Sequence, residues 1–128
     1  MERKVSFAEG EHYHLYNRGV DKRVIFSSLA DYKRFLMLLY LANSEYDIRI
    51  GNLLKSKRYE DIFVRERGEP LVAIGAYCLM PNHFHLLVTP LAKDGISRYM
   101  LKLQTGYARY FITMNERSGS LFQGPYRS

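Results

Sequence analysis

Residues 71–90, LVAIGAYCLMPNHFHLLVTP, constrain the fold more than any other stretch of the chain. The apolar run 71–80 has a proline on either side, as expected of a buried strand. Pro81-Asn82 supplies a turn, and HFHLLVT then alternates as a returning strand, so the two runs predict an antiparallel hairpin. Side chains alternate across a strand, which sets Phe84, Leu86 and Val88 on one face and His83, His85, Leu87 and Thr89 on the other. The apolar set calls for a covering layer of helices. Both imidazoles then stand on the uncovered face, about 6 to 7 Å apart along the strand.

The rest of the chain supplies the layer. HYHLYNRG, residues 12–19, alternates and breaks at Asn17-Arg18-Gly19, reading as a strand ending in a turn. From Ser28 to about Tyr46 the period becomes helical: Tyr32, Phe35, Leu36 and Leu39 share a face, and Ser28 with Asp31 resembles a capping box. Residues 47–70 form a charge-rich excursion without a clean period. The second helix is the most regular pattern, with Ile96, Tyr99, Met100, Leu103, Tyr107, Tyr110, Phe111 and Met114 in one apolar stripe. Arg98, Lys102, Thr105 and Arg109 form a largely basic stripe on another face. After the turn at ERSGS, LFQGPYRS reads as a last strand weakened by Gly124 and Pro125. The order predicts an α+β, ferredoxin-like βαββαβ sandwich, a four-stranded antiparallel sheet with helices on one face.

At 128 residues the chain is one domain's worth, and no apolar run approaches the roughly 20 residues of a membrane span. The opening MERKVSFAEGEHYH is charged and mixed, unlike a secretory signal, and the single cysteine, Cys78, fits a reducing compartment, so a cytoplasmic address is expected. Nineteen Lys and Arg against thirteen Asp and Glu give a net charge of +6 and a pI near 9.5, which suit a polyanionic partner. Charge alone suits a mildly basic protein without such a partner equally well. Arg18, Lys22 and Arg23 after the first strand, with Arg98, Lys102 and Arg109 on the second helix, are the candidate nucleic-acid contacts. Lys55, Lys57 and Arg58 cluster in the excursion.

A lone strand histidine is ordinarily a half-buried polar residue with one hydrogen bond. A doublet at a hairpin of a basic protein shifts the reading toward a metal site whose open positions leave room to polarise a phosphate oxygen. His12 and His14 repeat the spacing on the first strand, so four histidines can crowd one face. Cys78 with His83 and His85 would be a zinc alternative.

MPNHFHLLV resembles the His-hydrophobic-His signature of the HUH single-strand DNA nucleases. YHLYNRGVDKRVIF and GYARYFITMNERSGSLFQGPYRS extend the likeness to the single-tyrosine HUH transposases, in particular the REP-associated tyrosine transposases of bacteria. Three separated matches in the same order cover most of the chain outside residues 47–70. The resemblance implies a divalent metal, Mg²⁺ or Mn²⁺, held by His83 and His85. It implies a tyrosine that attacks a phosphodiester of single-stranded or hairpin DNA to leave a 5′-phosphotyrosine and a free 3′ hydroxyl. It also implies a homodimer.

Tyr107 is a candidate nucleophile by element, but its position between Leu103 and Phe111 belongs to the core stripe. In the family the nucleophile lies on a further helix after the strand that LFQGPYRS resembles, in a motif that supplies another metal ligand. The chain ends at Ser128, so both are expected to be missing. Tyr126 sits in the wrong element, and Pro125 stands where a basic residue is expected. The alternatives to a transposase-type nuclease and strand-transferase are a non-catalytic nucleic-acid-binding module, with bases stacked on the open sheet, and a structural zinc protein.

Overall fold

A computed structural model of the chain describes residues 7–128. The expectation about a leader falls in part on residues 1–6, which lie outside the described residues. Three strands, β1 (Tyr13–Arg18), β2 (Val72–Met80) and β3 (His83–Pro90), form an antiparallel sheet in the order β1-β3-β2. The helices are α1 (Leu29–Leu41), the single turns α2 (Ile50–Leu53) and α3 (Tyr59–Ile62), and α4 (Gly95–Met114). The excursion between α1 and β2 thus holds two short helical turns.

The alternation of β3 is realised residue by residue. Phe84, Leu86 and Val88 are fully buried under the helices, while His83, His85 and Thr89 are half-buried and Leu87 is exposed. Burial of each of those three apolar side chains contributes roughly 1.5–3 kcal/mol, which is what sets the register. Phe35 of α1 meets Phe84 at 5.1 Å between ring centroids and Tyr107 of α4 at 5.2 Å, so both helices close over the same sheet face.

Helix α1 starts where the sequence places it. Ser28 Oγ accepts from the Asp31 N–H, but the Asp31 carboxylate accepts from the Ser27 N–H and hydroxyl and from the Tyr110 hydroxyl, so the capping box is only half formed. The helix ends at Leu41, earlier than its apolar pattern suggests. Asn43, buried just beyond, turns the chain toward β2 by accepting from the Leu71 and Val72 N–H groups and donating to Val72 O.

Strand β2 departs from the expected buried strand. It lies at the sheet edge, its register with β3 shifts between Ile74 and Ala76, and Gly75, Ala76, Tyr77 and Cys78 are exposed, Ala76 and Cys78 because they stand on the open face opposite Leu87 and His85. In α4 the stripe is buried from Ile96 to Phe111, with Tyr110 half-buried and Met114 exposed where the helix runs past the sheet. Gly95 allows the start of α4 to lie against the carbonyl of Leu71, which a β-carbon there would strike.

The expected fourth strand is corrected: among the described residues the sheet has three strands. The C-terminal segment runs antiparallel along the free edge of β1 and bonds it at two separated places, Tyr16 with Arg127 and Gly19 with Phe122. Between them Gly124 takes a positive φ of 74° and Pro125 has no N–H to donate, so the ladder cannot continue. No helix of the described residues is long and apolar enough to cross a membrane.

Candidate functional site

Three of the four histidines meet on the uncovered face. The β1–β3 register sets Tyr16 opposite His85 and Arg18 opposite His83, while the β2–β3 register sets Cys78 opposite His85. His14 lies diagonally from His85, the two rings side by side with centroids 4.9 Å apart and planes 17° apart, and His83 meets His85 edge-on at 5.0 Å. His12 precedes β1 and is exposed, so the expected foursome is a threesome.

Each paired imidazole has its Nδ1 engaged. His83 Nδ1 lies 2.7 Å from Asn82 Oδ1, and His85 Nδ1 lies 2.7 Å from His14 Nε2. Asn82 Nδ2 donates to the carbonyl of Lys22 at 3.4 Å. Desolvation, then the neighbouring His14 and His83 rings, lowers the pKa of His85 below the ordinary histidine value of 6.5. The shift favours the neutral imidazole, the form that can ligate a metal.

Beside the histidines a cleft of about 480 Å³ is lined by Tyr16, Arg18, Lys22, Asn82, His83, His85 and Arg127, with Asn17. The loop that carries Lys22 is shaped for this. Asp21 and Lys22 are both left-handed, at φ 53° and 60°, a conformation that costs non-glycine residues roughly 1–2 kcal/mol each. The segment holds this shape through Val20 N–H donating to Leu121 O, Asp21 N–H to Gln123 Oε1, and Ile25 and Phe26 N–H to Pro81 O. The loop after β1 is thereby tied both to the hairpin turn and to the C-terminal segment. Gly19 permits the fold-back, since a β-carbon there would strike Arg23 O.

The other candidates are placed elsewhere. Tyr107 is fully buried, its hydroxyl donates to Ile25 O, and burial raises its pKa far above that of a free tyrosine. It does not line the cleft, in keeping with its place in the apolar stripe. Arg98 and Arg109 are exposed on α4, and α4 packs on the opposite face of the sheet from the histidines. Lys102 is half-buried; its ammonium donates to Ser44 O and Tyr46 O and pairs with Asp47 at 3.6 Å, so it fastens α4 to the chain after α1. Arg23 closes the turn after β1 through its N–H to Val20 O. The zinc alternative is not assembled: among the described residues no three His, Cys, Asp or Glu side chains gather as a ligand set.

Two cleft residues are additions to the sequence reading. Asn82 reads locally as a turn residue, and only its side-chain partners give it a second role. Arg127 reaches the cleft because the C-terminal segment returns to β1, a long-range pairing with no local signature. It supplies a cation where Pro125 had left the basic position in question.

Comparison with known proteins supports this architecture. No protein-family model matches the chain, and no curated protein matches it. Among solved structures the fold is similar to that of "a putative transposase" from Deinococcus radiodurans R1, with a TM-score of 0.52 over 99% of this chain and 83% of that one at 17% sequence identity. At that identity the likeness is one of fold. The class it defines is an α+β domain whose antiparallel sheet is covered by helices on one face and open on the other.

Proposed function

We propose that the chain is the DNA-binding, metal-dependent core of a transposase-type single-strand nuclease and strand-transferase. The observation that carries this reading is the cleft itself: two neighbouring imidazoles on the open sheet face, ringed by the cations of Arg18, Lys22 and Arg127. The likeness in fold to a protein described as a transposase points the same way. Three cations around a groove suit a polyanionic backbone, and the open sheet beside them suits an unpaired strand.

His83 and His85 fit a divalent metal, Mg²⁺ or Mn²⁺, because each ring has one nitrogen held by a neighbour and the other free. Bound there, the ion would offset charge on a phosphodiester oxygen. Arg18, Lys22 and Arg127 would orient the backbone of single-stranded or hairpin DNA. Tyr107 takes no part, since its hydroxyl is enclosed and already bonded. Of the tyrosines, Tyr16 lines the cleft.

The test is Mn²⁺ binding by titration calorimetry alongside binding of a labelled single-stranded oligonucleotide with and without Mn²⁺. The His83→Ala/His85→Ala double variant is expected to lose Mn²⁺ binding and keep its thermal transition, because both side chains lie outside the core. Mn²⁺ binding that survives the double substitution would sink the metal reading. Wild-type protein that binds single-stranded DNA equally well with and without Mn²⁺ would favour the non-catalytic binding module.

A further inference from the structure

We infer that Asn82 and His14 are positioning residues, which hold the rings of His83 and His85 so that each presents an unprotonated Nε2 to the cleft. This rests on the metal-binding reading above and extends it to residues that would not touch the ion. The argument for Asn82 comes from its two partners. A main-chain carbonyl only accepts, so the side-chain atom facing Lys22 O must be the amide nitrogen, and the atom 2.7 Å from His83 Nδ1 must be the amide oxygen. An amide oxygen also only accepts. His83 Nδ1 is therefore the donor, the proton of the neutral ring is on Nδ1, and the lone pair is on Nε2.

His14 does for His85 what Asn82 does for His83. For His85 to share an ion with His83 its Nε2 must be bare, which places the ring proton on Nδ1 and makes His14 Nε2, 2.7 Å away, the acceptor. The rings of His14 and His85 are inclined by only 17° with centroids 4.9 Å apart, the side-by-side arrangement such a bond requires, and His14 packs on Tyr16 at 5.0 Å, which holds its plane. The two supports come from different elements: Asn82 from the hairpin turn and His14 from the neighbouring strand. Through Lys22 O, the amide that orients His83 also steadies the left-handed loop that carries a cleft cation. Metal-ligating histidines ordinarily have such a partner on the second nitrogen, and its loss weakens metal binding by about 10- to 100-fold.

The experiment uses the full chain and four variants: Asn82→Leu and His14→Phe, which remove the acceptors, and Asn82→Asp and His14→Gln, which keep one. Long-range nitrogen–proton correlation NMR of the metal-free protein reads the tautomers, and titration with Mn²⁺ reads affinity. His83 and His85 are expected to be protonated at Nδ1 in the wild type. His83 should lose that single tautomer in Asn82→Leu, and His85 should lose it in His14→Phe. Each of these two variants should bind Mn²⁺ about 10- to 100-fold more weakly, with Asn82→Asp and His14→Gln within about 3-fold of wild type.

Loss of affinity in the rescue variants as well would mark a merely structural role and overturn the inference. So would an Nε2–H tautomer in the wild type, or unchanged affinity in Asn82→Leu and His14→Phe while the wild type binds Mn²⁺. Failure of the wild type itself to bind Mn²⁺ removes the metal-binding reading and the positioning role together, a result distinct from either of those. A folding defect shows separately as a lowered melting temperature.

Discussion

Tyr107 is packed among Phe26, Phe35, Tyr110 and Phe111, and its hydroxyl donates to the carbonyl of Ile25. Its burial makes the phenolate costly, so the side chain is a core element with one polar obligation. Tyr107→Phe is expected to lower unfolding stability by about 1–3 kcal/mol, measured by chemical denaturation, because Ile25 O is left without its donor. The same variant should bind DNA as the wild type does. Lost DNA binding in a stably folded variant would contradict this placement. Tyr107 and the histidines were legible for opposite reasons. The 3.6-residue period puts Tyr107 inside and the two-residue period puts His83 and His85 outside, since each side chain simply follows its own backbone geometry. The partners Asn82 and His14 were not legible as such, because a hydrogen bond between side chains depends on where two elements meet.

The elements themselves end where side chains from elsewhere intervene. Asn43 stops α1 and pins the start of β2 with three buried hydrogen bonds, two accepted at Oδ1 and one donated from Nδ2. Asn43→Ala should therefore cost about 3 kcal/mol of stability and expose the Leu71 and Val72 amides to hydrogen exchange. A loss below about 0.5 kcal/mol, the range of an ordinary surface substitution, would show that water replaces the amide and that the helix end is set by local preference. The apolar run of β2 invited a buried assignment that the sheet order denied: composition says that a strand avoids water, but only the order of strands says which one lies at the edge. The last strand shows the reverse case. Gly124 and Pro125 were a legible weakness, and the ladder is interrupted where they stand, between Phe122 and Arg127.

Across the molecule the positive charge divides into two faces. Arg18, Lys22 and Arg127 line the cleft by the histidines, whereas Arg98, Lys102 and Arg109 lie on α4 over the other side of the sheet. Binding of single-stranded DNA at the cleft should weaken with salt, and Arg18→Ala should flatten the slope of log K against log salt by about 0.7, the loss of one phosphate contact. Lys102→Ala should leave that slope unchanged, because carbonyls and Asp47 already hold its ammonium. Fluorescence anisotropy over a range of salt concentrations checks both. A slope that responds to Lys102 and not to Arg18 would move the DNA to the helical face.

What the sequence determined by itself follows from short-range periodicity. The hairpin, the two long helices, the covered and open faces of β3 and the burial of Tyr107 were all set by side chains a few residues apart. The tertiary structure decided the matters that depend on long-range pairing: which strand is the edge, how far the C-terminal segment pairs with β1, and which cations reach the histidines. Arg127 shares the cleft with His83 although the two lie 44 positions apart in the chain. Local backbone geometry carries no information about such a meeting. It is decided when the apolar faces of the sheet and the helices find the one arrangement that buries them together.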